Sequence, residues 1–303
     1  MYISYLQQAL TADRSKISVG PNPSDWITSY LPLNWNLFSF HFFVDWSISP
    51  IVSGTDVWLT RLVRFNENEG PENVNESNLE DLFASTPDAN LTKKLGAVCA
   101  SYTQNLKVVL LPEISVADIQ ATTPIWTIGY QSNGEFNVKT RSVEALRYEI
   151  QRCSGGPVQI GRKGLIYSTS AIEGFLSLTD SAYPGDVDAV IVNDNGVVRC
   201  VIEYKKHTLE APLEDYLVDR YYPRPDGRKY LRLQSLVSAY RGTGNQVPFV
   251  IRYYSTKYPA IRLQEISNFL PDGATIARDS LNINVDSASG EDIAKIILEW
   301  LEL

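Results

Sequence analysis

The run GDVDAVIVNDNGVVRCVIEYKKH, Gly185 to His207, constrains this chain more than any other segment. Two stretches rich in Val and Ile flank Asn-Asp-Asn-Gly, and Asn-Gly is the strongest short signal for a tight β-hairpin. The body of such a hairpin is apolar enough for a core, yet its open end carries Asp186, Asp188, Glu203, Lys205 and His207. Side chains alternate faces along a strand, so the two aspartates share one face, as do Glu203, Lys205 and His207. The turn decides whether these faces coincide. With Asn195-Gly196 as a two-residue loop, Asp188 lies across from Glu203 and Asp186 across from Lys205. With Asp194-Asn195 as the loop, Asp186 lies across from Glu203 instead. Both registers gather acids and amine on one side at roughly 5 Å cross-strand spacings. An odd-length loop would send them to opposite sides.

Carboxylates this close repel unless a proton or cation compensates. Hard oxygen ligands suit Mg²⁺ or Mn²⁺, which keep several waters and accept one or two carboxylates. An adjacent lysine can position a bound water or stabilise charge on a phosphate oxygen. That chemistry fits metal-assisted hydrolysis of a phosphodiester.

An aspartate opening one strand, a hairpin, and Glu-x-Lys after an apolar run resemble the PD-(D/E)XK nuclease superfamily, whose fold is restriction-endonuclease-like. Here the matching pieces are GDVDAVIV and VIEYK. The resemblance implies an α/β (mixed α+β) fold with an αβββαβ core around a mixed central sheet. It also implies Mg²⁺- or Mn²⁺-dependent cleavage of nucleic acid, with DNA as the expected partner. Carried over, Asp188 and Glu203 are metal ligands and Lys205 is the catalytic lysine. Asp186 competes for the first ligand position, because Gly185 separates it from Pro184 and breaks the family's Pro-Asp pair. Members also place a glutamate on the first helix; Glu149 is the leading candidate, with Glu144 and Glu173 as alternatives. A non-catalytic module that keeps the fold to bind nucleic acid or protein is the other reading. Two cuts in a duplex would make a homodimer natural.

The order of elements agrees with that core over residues 141–256. RSVEALRYEIQRC sets Val143, Leu146, Ile150 and Cys153 on one helical stripe. GRKGLIYSTS suits a short strand, and the hairpin follows. PLEDYLVDRYY starts a helix at Pro212, RKYLRLQSLVSAYR forms a second, and VPFVIRYYS reads as a strand. SGEDIAKIILEWL closes the chain, with Ser289 and Asp292 at capping-box spacing. Before residue 140 the runs LFSFHFFVDW, KVVLLPEI and PIWTIGYQ read as strands, with a helix in LTKKLGAVCASY. The chain thus divides into a strand-rich region, 1–140, and a nuclease-like domain, 141–303.

Net charge is −8, but it is unevenly spread. Residues 69–88 hold six acids and no base, and read as a solvated acidic loop. Residues 220–232 hold five bases against one acid. In that basic stretch Arg224, Arg228, Lys229 and Arg232 could meet phosphates, and Tyr222 could stack on a base. Lys229 and Gln234 border the apolar face of their helix and could reach the acids. With two histidines, a serine or cysteine hydrolase would have only His41 or His207 as its base. His41, in an aromatic strand, and His207, at a strand end, both read as structural. Three scattered cysteines without CxxC spacing suit a reducing cytoplasm. No leader and no membrane span is evident, since the longest apolar stretch contains His41 and Asp45.

Overall fold

The computed structural model describes residues 1–4, 9–10, 25–66, 69–130, 136–159, 167–168, 170–181, 183–285 and 288–303. The chain is mixed α/β and forms two compact units, residues 1–18 with 40–185, and residues 19–39 with 186–303. Compactness therefore divides it between Gly185 and Asp186, whereas its composition changes near residue 140.

The first unit holds strands β1 (Asn36–Asp45, from Phe40 onward), β2 (Val52–Arg64), β3 (Asn105–Pro112), β4 (Pro124–Tyr130) and β5 (Phe136–Ser142). β2 is antiparallel to β1 and parallel to β3, and β3, β4 and β5 continue antiparallel. Its helices are α1 (Glu76–Ala84), α2 (Pro87–Ser101), α3 (Val143–Cys153) and α4 (Ala171–Leu176). The stripe expected on α3 is real: Val143, Leu146 and Ile150 join Trp58, Val109 and Ile172 in one core. The acidic segment is not a loop, because α1 lies within it. Leu79 and Phe83, four apart, are buried on one side of α1, and Glu76, Glu80 and Asp81 lie on its more exposed remainder. Asn75 caps that helix by accepting from the Ser77 amide. Of GRKGLIYSTS, residues 161–166 and 169 lie outside the described residues, and the strand within it is Tyr167–Ser168, paired with Ala9–Leu10.

The second unit holds β6 (Gly185–Val192, from Asp186), β7 (Val198–His207), β8 (Phe249–Ser255), β9 (Ala260–Leu270) and β10 (Gly273–Asp279). The order is β6-β7-β8-β9-β10, with β7 and β8 parallel and the other pairs antiparallel. Helix α5 (Gly227–Arg241) buries Tyr230, Leu233, Leu236, Val237 and Tyr240 at helical spacing. Helix α6 (Gly290–Leu301) starts with the expected capping box, in which Ser289 and Asp292 each bond the other's backbone amide. Ile293, Ile297 and Leu301 of α6 pack on Ala189, Ile191, Cys200 and Ile202, one face of the hairpin. α5 lies on the other face, the one that bears Glu203.

Candidate acidic site on the hairpin

The hairpin reaches its register by an unexpected route. Its loop is Asp194-Asn195-Gly196, three residues rather than two, closed by the Asn193 amide donating to the Val197 carbonyl. Asn193 Oδ1 accepts from the amides of Asn195 and Val197, and Gly196 takes φ +74°, open to glycine at little cost. This odd loop pairs Val192 with Val198, a register that alone would separate the charges. Arg199 then bulges out of β7, and pairing resumes as Cys200 with Ile191, Val201 with Val190 and Ile202 with Ala189. One step further brings Glu203 to Asp188. There the Tyr204 amide donates to Asp188 Oδ2 at 2.6 Å, so a side chain replaces the ladder bond.

Glu203 is wholly buried, Asp188 is half-buried, and Asp186 is exposed beside them. Burial holds the Asp188 carboxyl well above the usual carboxylate range, and the charges of Glu203 and Asp186 push it further, against the pull of Lys229. The Asp188 and Glu203 carboxyls lie within hydrogen-bonding reach of each other. Both Glu203 oxygens are buried, and among the described residues neither accepts a well-aligned hydrogen bond from an N–H or O–H group, Oε1 meeting its lysines only as ion pairs. A buried acceptor without a partner costs about 1–3 kcal/mol, more if charged, so this carboxylate would gain from a shared proton or a cation.

Two amines meet Glu203. Lys229 Nζ, from the first turn of α5, is 2.7 Å from Oε1, and Lys205 Nζ is 3.7 Å from the same oxygen. Burial alone would lower the Lys229 ammonium, but Glu203, Asp188 and Asp186 together raise it above its ordinary value. Lys205 is held by Asp226 at 2.6 Å and lies over the rings of Tyr221, at 4.8 Å, and Tyr230, at 5.3 Å. Its partner is therefore Asp226 at the start of α5, not Asp186. Arg232, one turn beyond Lys229, is drawn down by burial and supported by Asp186 and Glu203. The second unit thus brings together Asp186, Asp188, Glu203, Lys205, Lys229 and Arg232.

Asp226 belongs to this cluster without having been anticipated, its signal being the Pro-Asp-Gly turn ahead of α5; Tyr221 and Tyr230, rings of the basic stretch expected to be open for base stacking, instead lie against Lys205. Gln234 turns to β9, where it bonds Asn268 and accepts from the Phe269 amide. Tyr222 offers no stacking face: it is 4% exposed and packs on Phe269 and Tyr230. Arg224 and Arg228 are exposed. Glu149 lies in the first unit, ion-paired with Lys107 and 3.7 Å from Arg152; Glu144 there is exposed and Glu173 half-buried. His207 donates from Nε2 to the Ala211 carbonyl at 2.8 Å and packs on Tyr216, a structural role. His41 Nδ1 lies 3.2 Å from Thr60 Oγ1, which also meets the Tyr183 hydroxyl.

Among the described residues, no set of three or more His, Cys, Asp and Glu side chains is gathered to enclose a metal. Asp188 and Glu203 offer two adjacent carboxylates, the latter buried without a well-aligned hydrogen-bond donor among the described residues, which fits a hard ion that completes its shell with water and substrate. The three cysteines are free thiols, and among the described residues no helix is long and apolar enough to cross a membrane. No protein-family model, curated protein or solved structure matches this chain.

Proposed function

We propose that the second unit is a Mg²⁺- or Mn²⁺-dependent nuclease of the restriction-endonuclease-like class, acting on DNA in the cytoplasm. The observation that carries the reading is Glu203: a fully buried carboxylate beside Asp188, neither of whose oxygens accepts a well-aligned hydrogen bond among the described residues. The order β6, β7, α5, β8, with β8 parallel to β7, supports that reading, since such a core uses a strand, a strand, a helix and a parallel strand in this order. Asp188 and Glu203 would hold the ion, with Asp186 at the exposed rim. A divalent ion there supplies an activated water and neutralises charge on the phosphate. Lys205, fixed by Asp226 and two tyrosine rings, aims an ammonium at the reacting phosphate. Lys229 balances Glu203 before substrate arrives, and Arg224 and Arg228 lie exposed for backbone phosphates.

A second reading rests on the same ion pairs. Lys229 on Glu203 and Lys205 on Asp226 already balance much of the acidity, as a binding module retaining the fold would require. Incubation with supercoiled plasmid, single-stranded DNA and RNA separates the two. The nuclease cuts DNA with Mg²⁺ or Mn²⁺, stops with EDTA, and is inactive as Glu203→Gln or Lys205→Met. Absence of cutting on every substrate, or variants that cut like the parent, rejects it. Binding of nucleic acid without cutting leaves the module.

A further inference from the structure

A cavity of about 400 Å³ in the second unit lies at the start of β7, away from the acid pair. It is lined by Arg199, Arg241 and Arg278, the acids Glu265 and Glu302, and an apolar wall that includes Pro248 and Leu301. The charges do not simply cancel. Arg278 holds both acids, Glu265 and Glu302, at 2.7 Å each, and stacks on Trp300 at 4.6 Å. The other two arginines are left over. Arg241 donates from Nε to the Val247 carbonyl at 2.8 Å, which fixes the plane of its guanidinium, and among the described residues neither terminal nitrogen has a partner. Arg199 has the ring of Trp35 at 5.9 Å and, among the described residues, no acidic partner. It is the residue that bulges from β7, and bulges re-aim side chains.

From these placements we propose that the cavity binds a phosphate ester of nucleotide size. Two guanidinium groups with unused paired N–H donors match phosphate oxygens in a way an ammonium does not. The volume falls within the range of small-ligand sites, and the wall at Pro248 and Leu301 offers apolar contact to the body of the ester. The phosphate can belong to a free mononucleotide or to the end of a nucleic-acid strand. The site stands apart from the acid pair and does not depend on the nuclease reading.

Calorimetric titration of the full chain, in EDTA and at low salt, tests it. The ligands are inorganic phosphate, a nucleoside 5′-monophosphate, and a short oligonucleotide with and without a 5′-phosphate. The monophosphate or the 5′-phosphorylated oligonucleotide is expected to bind at least tenfold more tightly than inorganic phosphate. Arg241→Ala and Arg199→Ala should each lose tenfold or more, and Arg241→Lys should recover only part. A preference for the oligonucleotide assigns the phosphate to a strand end, and a preference for the monophosphate to a free nucleotide. No binding of either ester at millimolar concentration, unchanged binding by both folded alanine variants, or equal affinity for inorganic phosphate overturns the proposal.

Discussion

Asp188 and Glu203 stand together because Arg199 bulges from the strand between Glu203 and the turn. A three-residue loop shifts the hairpin by one place, and the bulge shifts it back. Two irregularities that would each flip the charged end cancel, and the acids reach one face. The apolar ladder between them, Val190 with Val201 and Ala189 with Ile202, then keeps the pair in place.

The turn should be sensitive where it needs a left-handed residue. Gly196 holds φ +74°, a region that costs an L-residue about 1–2 kcal/mol. Gly196→Ala is expected to lower unfolding stability by about 1 kcal/mol in urea titration, while Asn195→Ala, which leaves that backbone conformation to glycine, costs less.

Lys229 and Lys205 should differ in their structural weight. Removing Lys229 leaves Glu203 buried with its nearest amine at 3.7 Å, whereas removing Lys205 leaves the Lys229 pair intact. Breaking a buried pair costs about 3–5 kcal/mol, less where one partner reaches solvent. Lys229→Met is expected to destabilise by about 2 kcal/mol and Lys205→Met by distinctly less, as read by chemical denaturation. If the nuclease reading holds, their order reverses for activity, with Lys205→Met losing at least about 100-fold in cleavage rate.

Stability should fall as pH rises through the raised Asp188 range. The folded state binds that proton more tightly than the unfolded chain, whose carboxyl titrates at about 3.9. The favourable contribution is therefore complete below that value and is lost as the folded carboxyl ionises at higher pH. Asp188→Asn removes this loss. In EDTA it is expected to melt at or above the parent temperature at neutral pH, and the gap should close toward pH 4. A parent melting curve that gains on the variant between pH 5 and 8 would contradict this.

Divalent ions should reverse that order. Mn²⁺ added to the parent at neutral pH supplies the charge that Asp188 and Glu203 lack, so its melting temperature is expected to rise by a few degrees at saturating ion. Asp188→Asn and Glu203→Gln should show little or no rise. Equal shifts in parent and variants would place the ion elsewhere.

Much of the second unit was legible along the chain. Alternation of Val, Ile and acid announced β6 and β7, helical spacing announced α5, and Ser289 with Asp292 announced the start of α6. These are local signals, set by periods of two and 3.6 and by caps that act within one turn. Strands β9 and β10 escaped because polar residues interrupt their apolar positions, and Gln264 and Asn268 meet Tyr253, Asp279 and Gln234 on other elements. α1 escaped because charge masked a buried pair only two side chains wide, Leu79 and Phe83.

The sequence by itself determined that acids and an amine would crowd the open end of one hairpin, because strand alternation follows from covalent geometry alone. Only the tertiary structure decided which of them touch. A bulge, invisible in composition, restored the register. A helix more than twenty residues later in the chain delivered Lys229 to Glu203 and Asp226 to Lys205. The same packing turned Tyr222 inward against Phe269, away from any ligand. Contacts between residues distant in sequence depend on how sheets and helices stack, and no local period encodes that stacking.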